Sequence, residues 1–389
     1  MPDLFWLLLP VAAFAGWFAA IRSRGARQSR FPDTMLGPEY FRGLNHLLNE
    51  RPDKAINVFI RMLEVTADTF ETHLALGSLF RRRGEVDRAI RIHQNLVARE
   101  TLSTEQCTEA RLELGRDYLN AGLLDRAEGL LNDLLVIPGC RLQVLAMLLD
   151  IYQQERDWER ALAVAGQMEH VDGQPVNTVC AQFLCEQAQQ AIAANNPGLA
   201  REYLSRALAT DECCARASII LGDMLRDAGE IQAALASYGR IEQQDIGRLP
   251  EVLESMADCH RKAGTVSHMI DYLHDVIPRY DGIAPVLLQA GLLDEEQGHE
   301  AAAGFLIPQL DSRPSVRGLA RLIDLGLVGG DDHDDIFLQG LVKLTDALED
   351  NSSLYSCAHC GFAGKILHWQ CPGCRRWDTL RPVNGVQGI

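Results

Sequence analysis

The sequence predicts an all-α fold: one apolar N-terminal helix, a superhelical array of helix pairs, and a small metal-binding ribbon at the C-terminus. The 389 residues are 47% hydrophobic but only 6% aromatic, which is typical of helices rich in Leu and Ala rather than of a β-sandwich. Small residues recur at intervals close to 34, and four cysteines stand as two close pairs near the end. A chain of this length exceeds one ordinary core, so an elongated array is expected.

The first predicted element is a transmembrane helix. Residues 4–21 read LFWLLLPVAAFAGWFAAI without a charge, and at about 1.5 Å per residue they match a bilayer core of roughly 30 Å. Only Asp3 precedes this run, whereas four arginines follow it: Arg22, Arg24, Arg27 and Arg30. A cleavable signal peptide carries its basic residues before the apolar run, and basic flanks stay in the cytoplasm. We therefore expect an anchor at 1–21, a basic linker at 22–35 and a cytoplasmic body.

Residues 36–311 are predicted to form the array. The residue that opens the second helix of each pair, which we call the anchor residue of the repeat, recurs every 34 to 39 positions: Ala55, Ala89, Ala127, Ala161, Ala200, Ala234, Met269 and Ala303. Twelve positions earlier stand residues of which all but one are Gly or Ala, as close helix approach requires: Gly43, Gly77, Gly115, Leu149, Ala188, Gly222, Ala257 and Gly291. The period is that of the tetratricopeptide repeat, a unit of 34 residues, so about eight pairs are expected.

Two further positions support this register. Five residues before the anchors, glycines occupy the predicted turn, where a left-handed residue ends the first helix: Gly84, Gly122, Gly229, Gly264 and Gly298. Nine residues before them, aromatic rings would fill the space between the helices: Phe80, Tyr118 and Tyr152. The unit around Met269 is degenerate. Stacked pairs share one core and leave a long groove that can hold a peptide or a partner's helix.

Residues 312–350 are predicted to be a degenerate helical region and linker. Residues 319–327 keep a helical pattern, and the segment Gly329–Asp335 interrupts it. Its acidic residues could hold a metal, but acidic residues gather at helix starts. The pattern favours a helix-capping turn before a helix at about 335–349.

The C-terminal segment 351–389 is predicted to bind one metal ion. Its four ligands are two Cys-x-x-Cys pairs: Cys357 with Cys360, and Cys371 with Cys374. Two such turns form a tetrahedral four-sulfur shell that suits zinc or iron, whereas disulfides are disfavoured in a reducing cytoplasm. The shell is closed without His359 and His368, so we expect a structural ion with no open position for a substrate.

The remaining composition excludes several functions. The net charge of −16 repels nucleic acid. Four basic residues of the ribbon could still bind RNA, but docking onto the array or a protein is favoured: Lys365, Arg375, Arg376 and Arg381.

Four aromatic residues are expected to pack around the ribbon: Tyr355, Phe362, Trp369 and Trp377. The seven other cysteines are expected to be free residues, typical of a core. No nucleotide-binding, hydrolase or metalloprotease motif is present, so the chain is predicted not to be an enzyme.

The order of anchor, tetratricopeptide array and cysteine ribbon resembles the lipopolysaccharide assembly protein B family (LapB, also called YciM). The likeness spans the chain and is most specific in RRRGEVDRAIRIHQ at 81–94, LGRDYLNAGLLDRAE at 114–128 and the tail from 355 to 379. The family's rubredoxin-like ribbon is described as iron-binding, and zinc suits the same shell. Its ligands correspond to four residues here: Cys357, Cys360, Cys371 and Cys374.

This resemblance implies a function beyond what spacing can indicate. Family members regulate lipopolysaccharide synthesis at the cytoplasmic face of the bacterial inner membrane. They act with the protease FtsH to promote degradation of LpxC, the deacetylase that commits precursors to lipid A, and the inner-membrane regulator YejM/PbgA restrains them. The alternative is a membrane-tethered scaffold that assembles lipopolysaccharide synthesis and transport proteins without a role in proteolysis. A redox role for iron in the ribbon is a further alternative.

Overall fold

The structure is a computed structural model. It describes residues 42–43, 45–46, 70–100, 102–172, 176–327, 343, 345, 348, 352–386 and 388. The predicted transmembrane helix at 4–21, its basic linker, the anchor Ala55, the segment Gly329–Asp335 and most of the predicted helix at 335–349 lie outside these residues. Among the helices that are described, none has the length and apolar character needed to cross a bilayer.

The chain divides into two compact units, Met1–Leu123 and Leu124–Ile389. The described helices of the first unit are α1 Phe70–Arg82, α2 Val86–Val97 and α3 Thr104–Asn120. Those of the second are α4 Leu124–Leu134, α5 Arg141–Glu155, α6 Trp158–Asp172, α7 Asn177–Ala193, α8 Pro197–Thr210, α9 Ala215–Asp227, α10 Ile231–Gly239, α11 Ile241–Gln244, α12 Pro250–Ala263, α13 Val266–Val276, α14 Ala284–Gln297, α15 His299–Ser312 and α16 Val316–Leu327. Three short strands follow: β1 Tyr355–Cys357, β2 Ala363–Gly364 and β3 Leu380–Pro382.

The predicted anchor residues lie at the fourth position of every described second helix except α15. Six of them are fully buried: Ala89, Ala127, Ala161, Ala200, Ala234 and Met269. In α15 the fully buried residue is Ala302, and the predicted anchor Ala303 is only half-buried. The turn before α15 is the single residue Gly298, whereas the preceding pair turns through two residues. The prediction at Ala303 was therefore wrong by one position.

The turns between paired helices contain a residue with positive φ. All five predicted glycines adopt it, with φ between 66° and 90°. In the two described pairs that have no glycine there, Arg156 (φ 58°) and Asn195 (φ 57°) take the same position. Asn tolerates this conformation better than other side chains, but Arg156 carries no such signal and was not predicted.

The column of small residues makes room for a ring from the paired helix. A Cβ atom on Gly222 would lie 2.3 Å from the ring of Tyr238, and one on Gly77 would lie 2.3 Å from the ring of His93. Each ring belongs to the residue four positions after the anchor residue. Residues four apart lie on the same side of a helix, so the ring faces the first helix as the anchor residue does. The aromatic residues predicted to lie between helices are also buried: Phe80, Tyr118 and Tyr152.

The cysteines of the array are free, as predicted. Four of these seven are buried in the helical core: Cys140, Cys185, Cys214 and Cys259. Cys213 is exposed, so burial does not extend to all of them.

Replacing Gly222 with Ala should lower the stability of the second unit by about 1–3 kcal/mol, because the added methyl group overlaps the Tyr238 ring. The matched control is Gly291→Ala in the same column of α14, where a Cβ meets no atom within 4 Å. That change should leave stability equal or raise it by up to about 1 kcal/mol, since Ala favours helix. Urea midpoints measure both, and equal midpoints for the two variants would contradict this packing.

Candidate metal centre and its docking surface

A small antiparallel sheet positions the cysteines. β1 lies between β2 and β3 and pairs with both. The N–H of Gly361 donates to the carbonyl of Cys357 at 3.0 Å, and the N–H of Arg375 donates to that of Cys371 at 2.8 Å. Gly361 and Arg375 both have positive φ, 74° and 57°. The two Cys-x-x-Cys turns therefore close in the same way, although only the glycine could be anticipated from residue type.

The four predicted ligands are brought together. Their sulfur atoms all lie within 4.8 Å of one another. Cys357 Sγ is 3.8 Å from Cys374 Sγ, and Cys360 Sγ is 3.6 Å from Cys371 Sγ. A tetrahedral shell with metal–sulfur bonds of about 2.3 Å has sulfur–sulfur edges of about 3.8 Å, whereas a disulfide bond is about 2.05 Å long. The spacing fits a single ion.

The charge state of the thiols also favours a bound cation. A hydrogen bond with the Thr379 hydroxyl, 3.3 Å away, and backbone N–H groups lower the pKa of Cys357 to about 5. The N–H of Phe362 favours the Cys360 thiolate, but desolvation and the other three sulfurs outweigh it and raise the pKa of Cys360 to about 12. Thiolates 3.6 to 3.8 Å apart repel one another, and a bound zinc or iron cation would relieve that repulsion.

Two tryptophans attach the ribbon to the helical array. Trp377 packs edge-on against Trp158 and Phe183, with ring centroids 6.0 and 5.9 Å away. Its indole Nε1 donates to Gln153 Oε1 at 2.8 Å. The Trp158 and Phe183 rings are themselves stacked at 5.6 Å. The array therefore presents an aromatic surface to the ribbon.

Two buried arginines of the array complete this surface. Arg216 is 2% exposed, and its guanidinium lies 5.6 Å from the Trp369 ring and 5.8 Å from the Trp377 ring. Arg248 is 1% exposed, lies 4.9 Å from the Trp369 ring and donates to Asp378 Oδ1 at 2.5 Å. Such cation–π contacts can each contribute about 2 kcal/mol when desolvated.

Polar contacts surround this aromatic centre. The Tyr355 hydroxyl donates to Glu251 Oε1 at 2.8 Å. Two of the basic ribbon residues form ion pairs with the array: Arg375 with Asp150 at 3.2 Å, and Arg381 with Asp245 at 2.8 Å. Both arginines belong to the basic residues that could have bound RNA, and both instead pair with carboxylates of the array. The ion pairs agree with the predicted docking of the ribbon onto the array.

The expectation that Trp369 and Trp377 pack around the ribbon itself was wrong. The ribbon's own core consists of Tyr355, Cys357, Cys371 and Leu380, with Phe362 packed against it. Strands of two or three residues are too short to cover two indole rings, and these half-buried rings pack against the array instead.

Much of the docking surface lies on the first helices of successive pairs, while Trp158 begins the second helix α6 and Arg248 precedes α12. Gln153 belongs to α5, Phe183 to α7, Arg216 to α9 and Glu251 to α12. In tetratricopeptide arrays these helices form the face that usually receives a partner. Over this stretch, the chain's own ribbon occupies that face.

The family models and curated relatives that match this chain agree with this architecture. A family model described as a rubredoxin metal binding domain matches residues 355–382, and tetratricopeptide repeat models match residues 72–105 and 185–248. Lipopolysaccharide assembly protein B of Escherichia coli is 36% identical over 393 residues, covering 100% of both chains. The protein of that name from Haemophilus influenzae is 31% identical over 398 residues, again covering 100% of both. A tetratricopeptide repeat protein from Parabacteroides merdae covers 72% of this chain and 100% of its own, at 14% identity and a TM-score of 0.34.

The purified chain should contain one zinc or iron ion, and Cys371→Ser should lose it because three thiolates no longer close the shell. Elemental analysis by mass spectrometry measures the content per chain. Cys213→Ser, which changes an exposed cysteine of the array, is the control and should keep one ion. Retention of a full equivalent by the Cys371→Ser variant would contradict the four-sulfur assignment.

Arg248→Ala should destabilise the second unit by about 2–5 kcal/mol, because it removes a fully buried side chain together with its ion pair to Asp378 and its contact with the Trp369 ring. Arg279→Ala is the control: its pair with Glu242 is exposed and should be worth less than about 1 kcal/mol. Urea midpoints report stability, and protease cleavage between array and ribbon reports docking. Similar losses of stability in both variants would show that the buried ion pair contributes no more to stability than the exposed one.

Proposed function

This chain belongs to the lipopolysaccharide assembly protein B family, and we propose that it acts in lipopolysaccharide assembly as an inner-membrane-anchored adaptor. The observation that carries the proposal is the full-length identity of 36% with a protein of that name. The order of segments supports it, since an apolar run at 4–21 precedes a tetratricopeptide array. Such arrays bind proteins rather than transform substrates.

The proposed mechanism is delivery of one protein to another. The adaptor presents the LpxC deacetylase to the FtsH protease at the cytoplasmic face of the membrane, and the regulator YejM/PbgA restrains it. Anchoring keeps adaptor and protease in the same membrane plane, and tethering raises the effective concentration of the deacetylase at the protease. The adaptor itself breaks no bond.

The metal ribbon has a structural part in this mechanism. Cys357, Cys360, Cys371 and Cys374 would hold the ion, and a closed four-sulfur shell supplies folding energy rather than hydrolytic chemistry. The folded ribbon then keeps Trp369 and Trp377 on the array. A rigid array loses less conformational entropy when it binds a partner, so its affinity is higher.

Depleting the chain from its own cells should lengthen the half-life of the deacetylase several-fold, since its delivery to the protease would stop. The measurement is immunoblotting of the deacetylase after translation is blocked. A chain without residues 1–30 should not restore fast turnover, whereas one with an unrelated single-span helix in their place should.

An unchanged half-life after depletion would contradict the adaptor mechanism. It would favour the scaffold alternative, in which lipopolysaccharide assembly proteins are held together without proteolysis.

A further inference from the structure

A pocket of about 590 Å³ opens between the pairs α5–α6 and α7–α8 of the second unit. Its walls are the turn at 155–159, the C-terminal half of α7 and the start of α8. Trp158 lies in this wall and also contacts Trp377 of the ribbon. The pocket adjoins the docking surface, but its walls contain no ribbon residue.

The pocket is acidic. Three carboxylates line it, Glu155, Asp157 and Glu159, against the single lining cation Arg156. Arg160 pairs with Glu155 at 3.3 Å and with Asp157 at 2.6 Å, but Glu128 also pairs with this guanidinium at 2.6 Å. Desolvation and neighbouring acids raise the pKa of Glu155 even though Arg160 opposes them. Negative charge is therefore in excess at this wall.

Two polar atoms in the wall have no hydrogen-bond partner. Trp158 is 4% exposed, and its indole Nε1 is buried without an acceptor. Gln187 Oε1 is buried without a donor. Burying a polar group without a hydrogen bond costs stability. Because Trp158 is held between Phe183 and Trp377, its ring cannot turn to find another partner.

These features select the chemistry of the ligand. The wall requires an acceptor for Trp158 Nε1, a donor for Gln187 Oε1 and positive charge for the carboxylates. A polyamine or an inorganic cation offers no acceptor. A peptide offers a backbone carbonyl and N–H, and an arginine adds a fork of donors that fits two carboxylates. Leu199 and Tyr203 on the remaining wall would contact the arginine methylene groups.

We propose that this pocket binds an arginine-bearing segment of a partner protein. The backbone carbonyl of the segment accepts from Trp158 Nε1, and Gln187 Oε1 accepts a backbone N–H. The guanidinium lies between Glu155 and Glu159. The site goes beyond the adaptor mechanism, because it specifies a peptide chemistry without depending on which protein is delivered.

Calorimetric titration of the full chain in detergent tests the ligand class. The probe is a nine-residue peptide, acetylated and amidated, with one arginine between two leucines in a Gly/Ser background. It should bind one per chain, and the same peptide with citrulline in place of arginine should bind at least about tenfold more weakly. Equal affinity for the two peptides would overturn the proposal, and so would spermidine that binds as tightly as the arginine peptide.

Three variants test the location. Glu155→Gln with Glu159→Gln should weaken peptide binding at least about tenfold, and Trp158→Phe should weaken it because the ring stays and the N–H is lost. The control is Glu254→Gln with Glu296→Gln, the same charge change at exposed residues outside the pocket, which should bind as the unchanged chain does. Unchanged binding by the double pocket variant or by Trp158→Phe would refute the assignment. Deacetylase half-life is not a readout here, so failure of this site is separate from failure of the adaptor mechanism.

Discussion

The second unit depends on a charge buried at the junction of array and ribbon. Arg248 is 1% exposed, and two of its nitrogens, Nε and Nη1, make no hydrogen bond. Its compensation comes chiefly from the ribbon, through the Asp378 carboxylate and the face of Trp369. Asp245 of the array adds only a longer contact, 3.6 Å from Nε. Docking of the ribbon therefore buries this cation and brings to it the carboxylate and the ring that compensate the burial. The ion that folds the ribbon thus also stabilises helices that contain none of its ligands.

Local features of the array could be predicted from the sequence because they follow from neighbouring residues. The positive φ at Gly84 or Gly264 needs a residue without Cβ, and the burial of Ala89 or Ala234 follows from the helical period. The predicted position of the buried small residue was wrong at Ala303, because the turn before α15 is one residue shorter than the preceding one. No residue in the sequence indicates that shortening. Arg156 was missed since its left-handed conformation is imposed by the surrounding helices, against its residue preference.

The metal ligands were predictable, but the docking surface was not. Two Cys-x-x-Cys pairs within 18 residues indicate a four-sulfur metal site by residue type and spacing alone, and the structure brings their sulfur atoms together. The partners Arg248 and Asp378 are 130 residues apart in the chain, and a single sequence contains no signal that joins them. Residue type indicated that Trp369 and Trp377 would pack against an apolar surface, which was expected to be the ribbon. It could not indicate that the covering surface belongs to the array.

The ribbon's position on α5, α7, α9 and α12 has a mechanical consequence. In a repeat array each unit contacts only its neighbours, so small rotations add up along the stack and its pitch changes at little energetic cost. A compact body fixed to four first helices at once blocks these rotations. The braced stretch should therefore behave as a stiff rod, and elastic deformation under load would be concentrated in repeats that the ribbon does not touch.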